Sequence, residues 1–225
     1  STFLAGTTTK VFIYVLIRFI YSLYGYEFSF FAESFHYLLM FIASGAILFG
    51  SYLAMKQDSL KRILAYSSIA QIGYMVLGIA LITELGLMAS LVHIFNHAFI
   101  KTGLFLAVTA IIYFYDTDSL EKLMGIAKQT PFIFALFIIS GLSLIGAPLT
   151  SGFISKWYLI KASIEADYWV FVSIIVISSV MAIIYIGRII ETTYFKPADK
   201  QTAIFDADKR RPYLLFLSLV VISFI

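Results

Sequence analysis

The apolar residues of this chain come in long runs parted by short polar clusters. Ala43 to Leu53, Ile63 to Ile82, Leu85 to Tyr115 and Val170 to Ile190 are such runs, and the longer ones reach or exceed the roughly 20 residues that cross a bilayer core as a helix. Seven spans follow from the pattern: 1–22, 37–55, 63–83, 85–115, 131–162, 168–190 and a last one that starts at Tyr213. The predicted fold class is all-α, a polytopic transmembrane helix bundle forming a single membrane domain over 1–225, with no soluble domain, internal repeat or low-complexity tract.

The polar clusters between the runs alternate in charge. Those around Glu27 and Glu33, Thr83 and Glu84, and Glu165 to Asp167 contain no Lys or Arg, whereas the alternate ones hold Lys56, Lys61, Arg62, Lys122, Lys128, Lys196, Lys200, Lys209, Arg210 and Arg211. The positive-inside bias makes the second set cytoplasmic and runs the first span from inside to outside. One span more or fewer would scramble that alternation. Ser1 opens directly into an apolar stretch without an initiator Met or a charged leader, and Tyr213 to Ile225 is too short for a full crossing, so the chain is expected to be part of a longer protein.

Composition narrows the function classes. With 61% hydrophobic and 13% charged residues, the chain falls well below the roughly 25% charge of soluble domains. The lack of cysteine excludes disulfides, thiolate metal sites and a cysteine nucleophile, and with them iron–sulfur and zinc-ribbon proteins. A net charge of +3 is modest, and the basic residues sit in short loops, so lipid and other membrane subunits are the expected partners and nucleic acid is not. With no Gly-rich phosphate loop and no metal-ligand set, neither a cofactor nor a metal is expected. The expected setting is a bacterial or archaeal cell membrane, with an organelle inner membrane as the alternative.

Six basic residues remain inside the spans: Lys10, Arg18, Lys101, Lys156, Lys161 and Arg188. Arg18, Lys161 and Arg188 lie near span ends, from which long cationic side chains snorkel to headgroups. Lys10, Lys101 and Lys156 are deeper, where an ammonium costs roughly 2.5–3.5 kcal/mol to insert. Burial disfavours the charged form, so such lysines are poised to exchange protons. His93, His97 and Lys101 fall at i, i+4 and i+8 of one helix, each step rising about 6 Å and turning about 40° past a full turn, so they form one stripe that can pass a proton stepwise. Asn96 and Thr102 flank it. The plainer alternative is that the two histidines are packing residues bonded to Ser or Tyr hydroxyls. A haem-bearing subunit using His93 or His97 is a further alternative, weakened because the remaining histidine, His36, lies in or near an outside loop.

The fifth span carries Gly146-Ala147-Pro148-Leu149-Thr150-Ser151-Gly152 ahead of Lys156. Proline removes a backbone donor and glycine adds freedom, so the helix is predicted to break near 146–152. Interrupted helices at membrane depth line protein-buried or hydrated cavities, because their freed backbone groups need partners. Lys156, one turn past the break, is placed towards the outer mouth of such a path. Tyr66, Ser67, Ser68 and Gln71 add polar groups that could hydrate it, although each also suits polar packing between helices.

With these residues assembled, the chain resembles the antiporter-like subunits shared by respiratory complex I, Mrp-type sodium/proton antiporters and membrane-bound hydrogenases. The matching stretches are Ser1 to Lys10 with Tyr14 and Arg18, Gln57 to Gly73, His93 to Leu106, and Gly146 to Lys156. The resemblance implies the back half of a family member of about fourteen helices. Lys10 resembles the central lysine of that family's eighth helix, His93, His97 and Lys101 the polar stripe of its eleventh, and Lys156 the lysine of its broken twelfth. The glutamate and lysine pair of the family's front half has no counterpart here. The implied activity is proton translocation, with coupled sodium movement left open, through a relay from Lys10 along His97, His93 and Lys101 to Lys156, and with no catalytic chemistry on the chain itself. A scaffold subunit of such a complex that does not translocate is the alternative.

Overall fold

The computed structural model describes residues 2–24 and 31–197, with side chains described over 8–21 and 35–197. The elements are α1 (Thr2–Arg18), continued as a π-helical turn over Phe19–Tyr24, α2 (Phe31–Lys56), α3 (Leu60–Ala80), α4 (Glu84–Tyr115), two 3-10 turns over Leu120–Leu123 and Ile126–Lys128, α5 (Pro131–Ile145), α6 (Ser151–Glu165) and α7 (Trp169–Tyr194). These match the first six predicted spans, the fifth as the broken pair α5 and α6. The seventh span, from Tyr213, and the loop basics Lys200, Lys209, Arg210 and Arg211 lie outside the described residues. Among the described residues four helices are long and apolar enough to cross a membrane: Phe35–Lys56, Leu60–Ala80, Glu84–Tyr115 and Trp169–Tyr194. The chain is a multi-pass integral membrane protein.

Local chemistry fixes the helix ends. The Ser59 and Thr83 side chains accept from the N–H of Arg62 and Gly86 at the starts of α3 and α4, satisfying donors that a helix start leaves open. Pro131 opens α5, where its missing N–H costs nothing. α2 starts six residues before the expected span, because the amphipathic stretch Phe31 to His36 is helical without being uniformly apolar. His36 therefore belongs to the first turns of α2 and not to a loop.

Helix α4 is the axis of the bundle, packing against α1, α3, α5 and α6, while α2 lies between α3 and α7. One apolar cluster joins Leu64, Leu104, Ile111, Phe134, Phe137 and Ile186 of α3, α4, α5 and α7. A second joins Met40, Ile47, Leu77, Leu159 and Ile175 of α2, α3, α6 and α7. Outward faces carry exposed large apolar residues such as Phe41, Phe49 and Val170, as expected where lipid or other membrane chains replace water.

The basic residues Lys56, Lys61, Arg62, Lys122 and Lys196 gather at one end of the bundle, where loops from distant parts of the sequence are stitched together. Ser59 and Ser119 form an isolated antiparallel bridge. Leu60 donates to the Asp118 carbonyl at 2.8 Å and Leu120 to the Asp58 carbonyl at 2.9 Å, and the Ser59 hydroxyl donates to the Asp118 carboxylate at 2.5 Å. Arg188 of α7, expected to snorkel, instead donates to the Gln57 carbonyl and lies 3.6 Å from the Asp58 carboxylate. Arg18 and Lys161 are exposed.

Candidate functional site

The broken span is resolved by hydrogen-bond accounting. Gly146 ends α5 with φ +85°, a left-handed conformation that side chains with a Cβ adopt only at a cost. Its N–H donates to the Ser143 carbonyl at 3.2 Å, and that of Ala147 to the Leu142 carbonyl at 3.0 Å. Two carbonyls of the final turn, Leu144 and Ile145, remain. Both accept from the Lys156 ammonium, at 3.2 and 2.7 Å, and Ser179 of α7 accepts a third bond at 3.1 Å. The partially negative C-terminus of a half-helix thus cradles a buried cation. Pro148 sits in the short linker, and Gly152, one residue into α6, lets the α6 backbone meet the Ser143 carbonyl of α5. The break is therefore narrower than 146–152, spanning the residues between Ile145 and Ser151.

On α4, His93, His97 and Lys101 face inward together, all with 4% or less of their surface exposed. The His93 and His97 rings stack with centroids 6.0 Å apart and planes 5° from parallel. His93 is held at both edges, its Nδ1 2.8 Å from the Ser155 hydroxyl and its Nε2 3.0 Å from the Gln71 side-chain oxygen. The tautomer of the ring sets which partner donates in each of the two bonds. Ser155 also lies 3.1 Å from the Gly152 carbonyl, so its single hydroxyl proton serves only one of the two at a time. Neither ring nitrogen of His97 has a hydrogen-bond partner among the described residues.

Lys101, fully buried, donates to the Leu64 carbonyl and to the Ser67 hydroxyl at 3.0 Å, with its ammonium 5.4 Å from the Phe105 ring centroid. Ser68 donates to the same Leu64 carbonyl at 2.9 Å. Lys10 of α1 is 6% exposed and lies within electrostatic range of His93, His97 and Lys101. Lys156 is within that range of His93. The five proposed relay residues are thus buried within one helix bundle, with Lys10 and Lys156 in electrostatic range of the α4 stripe. Of the supporting set, Ser67 and Gln71 touch Lys101 and His93, while Tyr66 packs against the apolar cluster. Asn96 ties α4 to α6 by donating to the Ser151 carbonyl at 2.7 Å.

Several polar groups at this site escaped the sequence reading. Ser155 and Ser179 contact His93 and Lys156 directly, the Tyr74 ring lies 5.0 Å from the Lys156 ammonium, and Ser178 bonds Ser51 across α2 and α7 at 2.6 Å. The available signal was the pair Ser178-Ser179 inside an apolar span with Tyr185 two turns on, along the same face.

The family model described as NADH:quinone oxidoreductase/Mrp antiporter, TM, matches residues 1–182. NADH-quinone oxidoreductase subunit N of Desulforudis audaxviator is 40% identical over 194 residues, covering 86% of this chain and 38% of that protein. A Na(+)/H(+) antiporter subunit of Alkalihalophilus pseudofirmus is 34% identical over 169 residues, covering 75% of this chain and 34% of that protein. Among solved structures, a chain of the Mrp complex from Dietzia sp. aligns with a TM-score of 0.79 at 28% identity, covering 84% of this chain and 35% of that one. The chain spans between a third and two fifths of the length of the curated relatives it matches.

Proposed function

Since the chain belongs to the NADH:quinone oxidoreductase/Mrp antiporter transmembrane family, we propose that it serves as a proton-translocating part of a multisubunit membrane assembly. Lys10 is the middle station, exchanging with Lys101 and the His97 and His93 pair, and Lys156 is the station at the broken helix. Sodium as a second cargo is a separate question, because the relay moves protons alone. The observation that supports this reading is the placement of three lysines, each no more than 6% exposed, around two stacked buried histidines. An ammonium in apolar helices is costly, and each step of the path lets that cost be exchanged for a neighbour's.

The chain supplies the path and not the drive. Moving one charge against the membrane potential takes roughly 2.3 kcal/mol per 100 mV, which must come from redox chemistry in other subunits or from an opposing ion gradient. The test is Lys10→Met and Lys156→Met in the reconstituted assembly, with proton flux followed by a pH-sensitive dye. Both variants are expected to assemble and to lose translocation. Wild-type flux in either would end the proposal.

A further inference from the structure

The stacked histidines on α4 lie between Lys101 and Lys156, and a second set of polar groups, on α3 and α7, runs between the same two lysines. Lys156 donates to Ser179 at 3.1 Å. The Ser178 and Ser179 hydroxyls lie beside that of Tyr74, a residue only 1% exposed. Tyr185, equally buried, is within electrostatic range of Tyr74 and has its hydroxyl beside that of Ser67. Ser67 accepts from Lys101 at 3.0 Å.

The spacing is regular. Ser67 and Tyr74 are seven residues apart on α3, and Ser178 and Tyr185 seven apart on α7, about 10 Å of rise in each case. The pairs match in reverse order, Tyr74 with Ser178 and Ser67 with Tyr185, as two antiparallel helices require. Tyr74 stands at the junction of both lines: its ring meets His93 edge-on at 5.7 Å and presents a face to Lys156. Apolar packing alone would be served as well by phenylalanine, so two buried tyrosine hydroxyls beside serines point to a polar role.

We propose that Ser67, Tyr185, Tyr74 and Ser179 form a hydroxyl branch that carries protons between Lys101 and Lys156 in parallel with the histidine pair. The inference rests on the relay reading above. In one passage the Lys101 ammonium gives a proton to the Ser67 oxygen while the Ser67 proton moves to Tyr185. The Tyr185 proton passes to Tyr74, directly or through one water molecule, that of Tyr74 to Ser179, and that of Ser179 to the neutral Lys156 amine. Each hydroxyl both receives and releases one proton, so one proton is moved and no alkoxide remains. The hydroxyls then turn back for the next passage.

The experiment is a double-mutant comparison of proton flux in the reconstituted assembly, using Tyr74→Phe, Tyr185→Phe and His97→Asn alone and in pairs. Each single variant is expected to lower flux about twofold, because a parallel line remains, and each tyrosine variant combined with His97→Asn to lower it at least about tenfold. Tyr74→Phe removes one hydroxyl and keeps the ring packing, so its melting temperature is expected to stay within a few degrees of wild type while flux falls. Flux in the pairs no lower than in His97→Asn alone would overturn the branch, as would a flux loss that merely follows a loss of stability. Ser179→Ala carries the same comparison if a tyrosine variant fails to assemble. Lys156→Met run alongside keeps the two ideas apart: normal flux there refutes the relay itself, whereas a block there with neutral tyrosine variants refutes only the branch.

Discussion

Replacing Gly146 by alanine would disturb the relay without touching a titratable group. At φ +85° an L-residue costs roughly 1–2 kcal/mol. The new Cβ would also stand 2.9 Å from Lys156 Cδ and 3.6 Å from its Cε and Nζ, when carbon atoms settle at about 3.5–4.0 Å. A lysine side chain can yield, and the direction open to it is away from the end of α5. That motion draws the ammonium off the Ile145 carbonyl, now 2.7 Å away. A hydrogen bond to a charged group contributes roughly 1.5–3 kcal/mol, and with each 1.4 kcal/mol worth about tenfold, the equilibrium at this station shifts by about ten- to a hundredfold. Proton flux in liposomes is therefore expected to fall at least about tenfold, while melting of the purified assembly drops by the strain of about 1–2 kcal/mol together with the roughly 1.5–3 kcal/mol of the lost bond. Gly146→Asn separates the two causes, because asparagine tolerates the left-handed conformation better but still carries the Cβ. Asparagine should restore the part of the stability lost to strain and leave flux impaired. Wild-type flux in Gly146→Ala would show that the carbonyl cradle does not set the position of Lys156.

Two further outcomes concern packing. Gly73→Ala would place a Cβ 2.8 Å from Ile47 Cγ1, 2.9 Å from the Ala43 carbonyl and 3.0 Å from the Ile47 nitrogen; backbone cannot yield as a side chain does, so α2 and α3 should separate at a cost of about 1–3 kcal/mol, read as a lower melting temperature, with Gly45→Ala unchanged because its Cβ would meet only Phe49 at 4.0 Å. Ser51→Ala and Ser178→Ala each leave the other hydroxyl of a 2.6 Å buried bond unpaired, at about 1–3 kcal/mol, so the double variant should be more stable than the two single losses predict; strict additivity in the melting data would show that the bond contributes little.

The fold was legible because bilayer thickness and loop charge act on sequence directly. Apolar runs gave the crossings, and Pro148 with Gly146 gave the break, since each leaves a backbone signature independent of tertiary context. The start of α2 was missed because Glu33, Ser34 and His36 interrupt the apolar run without interrupting helical conformation. At the site, His93, His97 and Lys101 were legible as a stripe because four-residue spacing is a local property of one helix. The partners of Lys156 were not, since two of them are backbone carbonyls of α5, identical in every residue type. Ser179, Tyr74 and Tyr185 were passed over for a different reason. Serine and tyrosine are common in helix contacts, and only tertiary pairing across α3 and α7 separates those three from the rest.

The stitched loops at the basic end have a mechanical corollary. Strands of loop from both sides of α3 and α4, clasped by Arg188 of α7, tie these helices at the basic end, while Gly78 and Gly86 bring the α3 and α4 backbones together near the other, so the pair is fastened at both edges. Lys101 reaches the carbonyl of Leu64, one turn from the clasp, whereas Lys156 meets α3 at Tyr74, about 15 Å further along. Relative sliding of α3 and α4 is therefore resisted at both depths, and the two lysines are held at separate levels of one clamped pair.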